Sequence, residues 1–296
     1  MSMMTLDDFH PSISSQLRLQ PEPRSSAELY LDLVKRALTR TLTARNVERH
    51  TLQPGGGVRR IVSNAIGTVL SRFNLELVRT RPCGPDDYLE AGYGAFNRAA
   101  DAETMVGTRQ LDNMQACVTT VIQDKIPGDL LEAGVWRGGM AVLMKAVVNA
   151  YGDSRTVWAV DSFEGLPDPD QSQDSFGWQP GAMAVSLPEV RGNFARYGLL
   201  DDQVKFLKGF FKDTLPTAPI ERLAVLRVDG DLHESTMDVL VNLYQKLSVG
   251  GFAIFDDYKV LKDCRRAIDE FRSQHQIRDA IVPIDSQAVF WRKTTG

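Results

Sequence analysis

Val225-Leu-Arg-Val-Asp-Gly-Asp-Leu-His-Glu-Ser-Thr236 reads as the end of a buried strand running into the start of a helix. The apolar run begins near Leu223 and stops at two aspartates, Asp229 and Asp231, with one glycine between them. A second run, Gly251-Phe-Ala-Ile-Phe255, stops at another acidic pair, Asp256 and Asp257. Open α/β sheets place their ligand crevice at the carboxyl ends of strands, so these four carboxylates are expected at one rim. Such a cluster repels itself unless protons or a cation neutralise it. Oxygen-only ligation suits a hard divalent ion such as Mg²⁺. Taken singly, each aspartate also fits a helix cap, because helices are expected to start near Glu234 and near Tyr258.

Upstream, Leu130-Leu-Glu-Ala-Gly-Val-Trp-Arg-Gly-Gly-Met140 has the form of a strand–loop–helix junction with glycines at 134, 138 and 139. Glycine lets backbone approach a ligand closely, and a helix N-terminus offers free N–H groups; tight packing alone would also account for the glycines. The spacing is not G-x-G-x-x-G, since Val135-Trp136-Arg137 fills the middle, so a dinucleotide pyrophosphate would fit poorly. Asp161 ends the next strand, 23 residues past Gly138, where an acidic side chain can hold ribose hydroxyls. The two features together describe a site for an adenosine with a non-phosphate substituent, a description that S-adenosylmethionine meets. Gly209-Phe210-Phe211, after a third strand, is placed to sandwich an adenine ring or to serve as ordinary core.

The alternation of strands and helices continues from Gly128 to the C-terminus. Strands are expected at 129–133, 156–160, 204–207, 223–228 and 252–255, and helices at 138–151, 190–197, 234–246 and 260–275. A closing hairpin is expected from Ala280-Ile-Val-Pro-Ile284 and Gln287-Ala-Val-Phe-Trp-Arg292. This order argues for an α/β chain with a mostly parallel, doubly wound sheet and an antiparallel edge. Ser162 to Glu189, rich in proline and glycine, is long enough to be a functional lid. Helical spacing places Leu29, Leu31, Leu33, Val34 and Leu38 on one helix after a serine cap, and Ile61, Ile66, Val69, Leu70 and Phe73 on a second. A third helix is expected to follow Thr104-Met105 and reach about Gln123. The division expected is a flexible 1–27, a helical extension over 28–100, and a catalytic domain over 101–296.

The composition is that of an ordinary globular chain, with 43% hydrophobic and 24% charged residues. The formal charge of −4 is uneven: Met1 to Arg81 carries 12 Lys and Arg against 7 Asp and Glu, and the rest 22 against 31. Aromatics are nearly absent from the basic segment, so a solvated helical face or a subunit contact is expected there rather than nucleic acid, and the amphipathic N-terminal helices make a homo-oligomer the expectation. Cys83, Cys117 and Cys264 are too few and scattered for a disulfide framework or a thiolate metal site. There is no signal-peptide pattern, and no run approaches the roughly 18 apolar residues of a membrane span, so a cytoplasmic protein is expected.

Longer motifs resemble the macrocin O-methyltransferase (TylF-like) family. They are Leu131-Glu-Ala-Gly-Val-Trp-Arg-Gly-Gly139, Asp161-Ser-Phe-Glu-Gly-Leu-Pro167, Ala100-Asp-Ala-Glu-Thr-Met-Val-Gly107, Val228-Asp-Gly-Asp-Leu-His-Glu-Ser235 and Phe255-Asp-Asp-Tyr258. The resemblance covers 27–40 and nearly everything after 100; the stretch 41–99 departs from it most. It implies a Rossmann-like class I methyltransferase fold, a mostly parallel seven-stranded sheet with a closing antiparallel hairpin. It also implies an S-adenosylmethionine- and Mg²⁺-dependent transfer to a sugar hydroxyl of a glycosylated small-molecule acceptor, as in antibiotic biosynthesis. Matched position by position, it makes Asp229, Asp256 and Asp257 metal ligands and Asp231 the general base. Glu132, Gly134 and Asp161 become cofactor contacts, and Thr104 and Met105 the segment closing over the cofactor's methionine end; Gly209 and Phe210 join the cofactor set from the residues alone. His233 is a rival base or merely a first-turn histidine. The competing functions are a catechol or phenol O-methyltransferase, an NAD-dependent oxidoreductase, which lacks its glycine pattern here, and a non-catalytic nucleoside-binding protein.

Overall fold

Runs of Leu, Val and Ala that are apolar on both faces have to be covered on both faces, and the sheet is assembled from such runs. The computed structural model describes residues 25–42, 46–49, 72, 78–81, 102–170 and 172–295. Strands β3 (Asp129–Ala133), β4 (Val157–Asp161), β5 (Val204–Lys208), β6 (Leu223–Val228) and β7 (Leu247–Phe255) run parallel, and every residue of β6 is buried. The short β8 (Val282–Pro283) and β9 (Val289–Arg292) close the sheet as an antiparallel hairpin, giving the order β5-β4-β3-β6-β7-β9-β8. This is the seven-stranded arrangement, mostly parallel with a closing antiparallel hairpin, that the family resemblance implies.

Register decides what the sheet presents at its rim. Ala133 pairs with Val160 on one side and Val228 on the other, and Val228 pairs with Phe255. Gly134, Asp161, Asp229 and Asp256 therefore stand at one level, at the carboxyl ends of four neighbouring strands.

Helices α2 (Thr108–Gln123), α3 (Gly139–Ala150), α4 (Leu187–Arg196), α5 (Phe211–Thr214), α6 (His233–Leu243) and α7 (Lys262–Gln274) complete the catalytic part. Ten consecutive residues of α3, Gly139 to Val148, are buried, because a helix apolar all round needs cover all round. Part of that cover is α1 (Ser26–Leu38), which packs on α3 through Leu31, Val34 and Leu38. A capping box starts α1: the Ser25 hydroxyl accepts from the Glu28 N–H at 3.2 Å, and the Glu28 carboxylate accepts from the Ser25 N–H at 2.7 Å.

Several boundaries differ from expectation, each for a local reason. Helix α4 begins at Leu187 rather than Val190, because Ser186 caps it and Pro188 fits the first turn. Strand β7 begins at Leu247 rather than Phe252. Its glycines hide it from a pattern search, yet Gly250 N–H donates to the Lys293 carbonyl at 2.7 Å and Lys293 N–H to Gly251 at 2.9 Å. Within 28–100, α1 is helical as expected, while β1 (Asn46–Arg49) and β2 (Val78–Arg81) pair as an antiparallel ribbon. The expected flexible N-terminus lies outside the described residues except for 25–27, which cap and begin α1. The second amphipathic stripe, Ile61 to Phe73, and Cys83 also lie outside them. Cys117 and Cys264 are buried and free.

Candidate active site at the strand tips

A cleft with an empty volume of about 1510 Å³, solvent at its mouth included, opens along this rim. It is lined by Thr104, Met105, Glu132, Gly134, Asp161 and Phe210, and by Asp229, Asp231, Asp256 and Asp257. Of the site residues expected from sequence, only Gly209 is not itself in the lining; it precedes Phe210, and its N–H donates to the Asp161 carbonyl at 2.9 Å. Phe210 and Phe211 both line the cleft half-buried, and Phe211 also packs on the core.

The loop after β3 is held against β6 by backbone contact. Gly134 has φ +85°, and a Cβ there would lie 1.9 Å from the Asp229 carbonyl oxygen, so no other residue fits. The Asp161 carboxylate accepts from the N–H groups of Val135 at 2.8 Å, Trp136 at 3.3 Å and Phe163 at 2.7 Å. Asp161 thus fixes both loops in addition to facing the cleft, and burial raises its pKa against the pull of those N–H groups. The Thr104–Met105 segment closes over the N-terminus of α3, where Gly139 N–H donates to the Glu103 carbonyl at 3.0 Å. A Cβ at Gly139 would come within 2.5 Å of that oxygen.

The acidic rim is built around a residue that the sequence reading passed over. Arg227, fully buried in β6, places Nη1 2.9 Å from Glu132 Oε1 and 2.8 Å from Asp229 Oδ2. Its Nη2 lies 3.0 Å from Asp256 Oδ1, an ion pair without hydrogen-bond alignment. Carboxylate oxygens of Asp229, Asp231 and Asp257 lie within 4.8 Å of one another. Asp231 sits in the left-handed backbone region at φ +56°, which aspartate tolerates better than most residues. Asp256, expected among the ligands, faces Arg227 in this arrangement, while Asp231, expected as base, joins the triad of close oxygens.

Five carboxylates surround one guanidinium here. Burial, helped by repulsion from Asp229, pushes the Asp256 carboxyl up to about 7 against the pull of Arg227. Burial likewise lifts Glu132 to about 8. Burial and neighbouring carboxylates hold Asp231 and Asp257 well above the ordinary carboxylate range. Burial opposes the charge on Arg227, but Asp256, Asp229 and Glu132 overcome it and raise its pKa. Asp257 Oδ2 is buried without a hydrogen-bond partner among the described residues. Hard oxygen donors, an excess of negative charge and a buried unpartnered oxygen are what a divalent cation requires.

His233 is not in the cleft lining. Its ring Nε2 lies 3.0 Å from Glu270 on α7, and its backbone N–H donates to Asp174 at 2.8 Å, the arrangement of a first-turn histidine. A second residue missed from sequence is Glu103, buried and lining the cleft. It accepts from Arg40 at 2.7 Å, Arg196 at 3.1 Å and the Tyr197 hydroxyl at 3.0 Å. The charged Arg227 inside an otherwise apolar strand was a readable signal. The partners of Glu103 lie 63 to 94 residues away in sequence and were not.

The expected lid, the long loop after β4, is docked. Ser175 donates to Asp263 Oδ2 from its N–H at 2.8 Å and its hydroxyl at 2.7 Å, and Arg266 donates to the Gln173 carbonyl at 2.8 Å. Leu166, Pro167, Trp178 and Met183 from this arm line the cleft. No helix among the described residues is long and apolar enough to cross a membrane.

A family model described as Macrocin-O-methyltransferase (TylF) matches residues 27–293. The chain is 43% identical over 281 residues to the mycinamicin III 3''-O-methyltransferase of Micromonospora griseorubida, covering 92% of this chain and 99% of that one. It is 54% identical over 202 residues to the 8-demethyl-8-(2,3-dimethoxy-alpha-L-rhamnosyl)-tetracenomycin-C 4'-O-methyltransferase of Streptomyces olivaceus, covering 66% of this chain and 77% of that one. Among solved structures, the O-methyltransferase NovP superposes with a TM-score of 0.73 at 39% identity, covering 91% of this chain and all of NovP.

Proposed function

The chain belongs to the macrocin O-methyltransferase family and is an O-methyltransferase, and from that premise we propose that it methylates a sugar hydroxyl of a glycosylated natural product, with S-adenosylmethionine as donor and Mg²⁺ at the acidic rim. The observation that carries this reading is the position of the carboxylates at the tips of β6 and β7, one strand away from the glycine loop after β3. The relatives support the acceptor class, since one is named for methylating a rhamnosyl tetracenomycin at its 4' position. Acidic side chains in the lining outnumber basic ones ten to two, which favours a neutral glycoside over a phosphate-bearing sugar nucleotide.

The cofactor would lie along Gly134, Asp161 and Phe210, with Thr104 and Met105 over its methionine end and Glu132 beneath. The ion would be held by Asp229, Asp256 and Asp257. A sugar hydroxyl is a poor nucleophile near neutral pH, and a bound divalent ion would make it more acidic and orient it. Asp231 is left to take the hydroxyl proton, a role worth about 10²–10⁴-fold for a positioned base. The backbone-locked loop after β3 and the Thr104–Met105 segment align donor with acceptor, which contributes much of the remaining acceleration. The docked arm keeps water from the reacting oxygen. Homo-oligomerisation in this reading uses the outer face of α1, where Leu29 and Leu33 are about half exposed.

The deciding experiment offers methyl-labelled S-adenosylmethionine with mycinamicin III, demethyldecarbamoylnovobiocin, a rhamnosyl tetracenomycin, a nucleoside-diphosphate sugar and catechol. Label is expected in a glycoside, lost with excess chelator and restored by Mg²⁺. Turnover confined to catechol, or unaffected by chelator, would overturn the reading. Calorimetric titration with Mg²⁺ separates the two roles at the rim: Asp256→Asn is expected to lose the ion, and Asp231→Asn to keep it while losing turnover. The reverse pattern would exchange their assignments.

A further inference from the structure

Helix α1 ends on a residue that strains its own backbone. Thr41 N–H donates to the Arg36 carbonyl at 2.9 Å and Arg40 N–H to the Ala37 carbonyl at 3.1 Å, the paired bonds of a Schellman turn. That turn needs one left-handed residue, and Arg40 fills the position at φ +59°. Glycine is the usual occupant, because a Cβ is crowded there. From this position the Arg40 guanidinium reaches across 63 residues of sequence, with Nη2 2.7 Å from Glu103 Oε1.

Glu103 does not need Arg40 to balance its charge. Arg196 Nη2 lies 3.1 Å from the same carboxylate oxygen, and the Tyr197 hydroxyl donates to the other at 3.0 Å. Burial, then the Glu103 charge, raises the Tyr197 pKa, so that hydroxyl keeps its proton. One guanidinium already offsets one carboxylate. What Arg40 adds is a tether from α1 to the chain at Glu103.

The main chain there lies directly on the start of α3. The Glu103 carbonyl accepts from Gly139 N–H at 3.0 Å, and the Ala102 carbonyl accepts from Arg137 Nη1 at 3.0 Å. A Cβ at Gly139 would come within 2.8 Å of the Thr104 Cβ, which leaves no room between segment and helix. Glu103 is thus pinned through its backbone to α3 and through its side chain to α1 and α4. Thr104 and Met105 follow it at once into the cleft wall.

We propose that Arg40 and Glu103 are positioning residues for the methyl donor: their ion pair lets α1 hold Thr104 and Met105 against the start of α3, and so sets the affinity for S-adenosylmethionine. They act through Thr104 and Met105, not on the reacting atoms. This inference rests on the reading above, which puts those two residues over the cofactor's methionine end.

Calorimetric titration of the full chain with S-adenosylmethionine tests it. Arg40→Gly removes the guanidinium and supplies the residue that the turn prefers, so the end of α1 should keep its shape. A segment in place only about a tenth to a fifth of the time raises the donor Kd about 5–10-fold, the effect expected. With a glycoside that the wild type methylates, kcat at saturating donor and the acceptor KM should stay within about twofold. A merely structural loss would instead lower the active fraction and leave the donor Kd alone. Arg40→Lys keeps the charge and should recover most of the affinity. Glu103→Gln should weaken donor binding by a similar factor, and the double variant no further than either alone; it carries the test if Arg40→Gly is unstable. Lys35→Ala cuts a different ion pair of α1, to Asp112, and should leave the donor Kd unchanged. Wild-type affinity in Arg40→Gly or in Glu103→Gln, penalties that multiply in the double variant, or an equal loss in Lys35→Ala overturns this inference alone. A wild type with no affinity for S-adenosylmethionine overturns the functional reading, and this inference with it.

Discussion

Two buried ionic clusters face the same cleft, and their charge balances are opposite. Around Glu103, one carboxylate is met by Arg40, Arg196 and a tyrosine hydroxyl, so the chain's own groups neutralise it with positive charge to spare. Around Arg227, one guanidinium serves Glu132, Asp229 and Asp256, with Asp231 and Asp257 close by. The first cluster is complete as folded and works as a clamp, tying α1 and α4 to the segment ahead of Thr104. The second is short of positive charge, and that shortage is where the proposed reading puts the chemistry. A perturbed ionisable group by itself would not separate these roles; the sign of the imbalance does.

Three measurements press on this contrast. Arg227→Met removes the guanidinium at the centre of the acidic rim and should cost about 3–5 kcal/mol, the usual consequence of stripping a partner from buried charge. Chemical denaturation measures it, and Mg²⁺ should restore part of the loss; a cost under about 1 kcal/mol would mean that the rim is wetter than its burial implies. Glu103→Gln should cost less, about 1–2 kcal/mol, because the Arg196 side chain is 61% exposed and can turn to water. A loss as large as that of Arg227→Met would erase the distinction between clamp and site.

The smallest effect is expected at the cleft's outer edge. Burial, then repulsion from Glu234, pushes the Asp238 carboxyl up to about 6 despite Lys212. Between about pH 4 and 6 the folded chain therefore holds a proton that the unfolded chain releases, and stability falls as pH rises through that window. In Asp238→Asn this slope should flatten, as followed by denaturant midpoints at stepped pH. An unchanged slope would show that the excess of acid ends at the strand tips.

Much of this was legible because it is local. The five apolar residues of β6 and the aspartates that follow specify strand, end and charge within one short window, and the boundaries 129–133 and 223–228 match the expected strands residue for residue. Arg227 is equally local, but two of the carboxylates it pairs with are not, since Glu132 lies 95 residues away and Asp256 follows the neighbouring strand. Strand β7 was read short because Gly250 and Gly251 break its pattern, while pairing with Lys293 keeps it extended. The arm between β4 and α4 has no periodicity, and its tie from Ser175 to Asp263 spans 88 residues. The tie from Arg40 to Glu103 spans 63 residues and shows only once α1 is packed on α3.

Backbone contact at Gly134 has a consequence for how such an enzyme diversifies. Because the loop after β3 presses directly on the peptide of Asp229, the span that the proposed reading sets between methyl source and reacting oxygen is a dimension of two adjacent main chains. Side-chain exchange cannot stretch it. On that reading, new acceptors are accommodated by reshaping the cleft wall around the strand tips, with the reaction distance carried along unaltered.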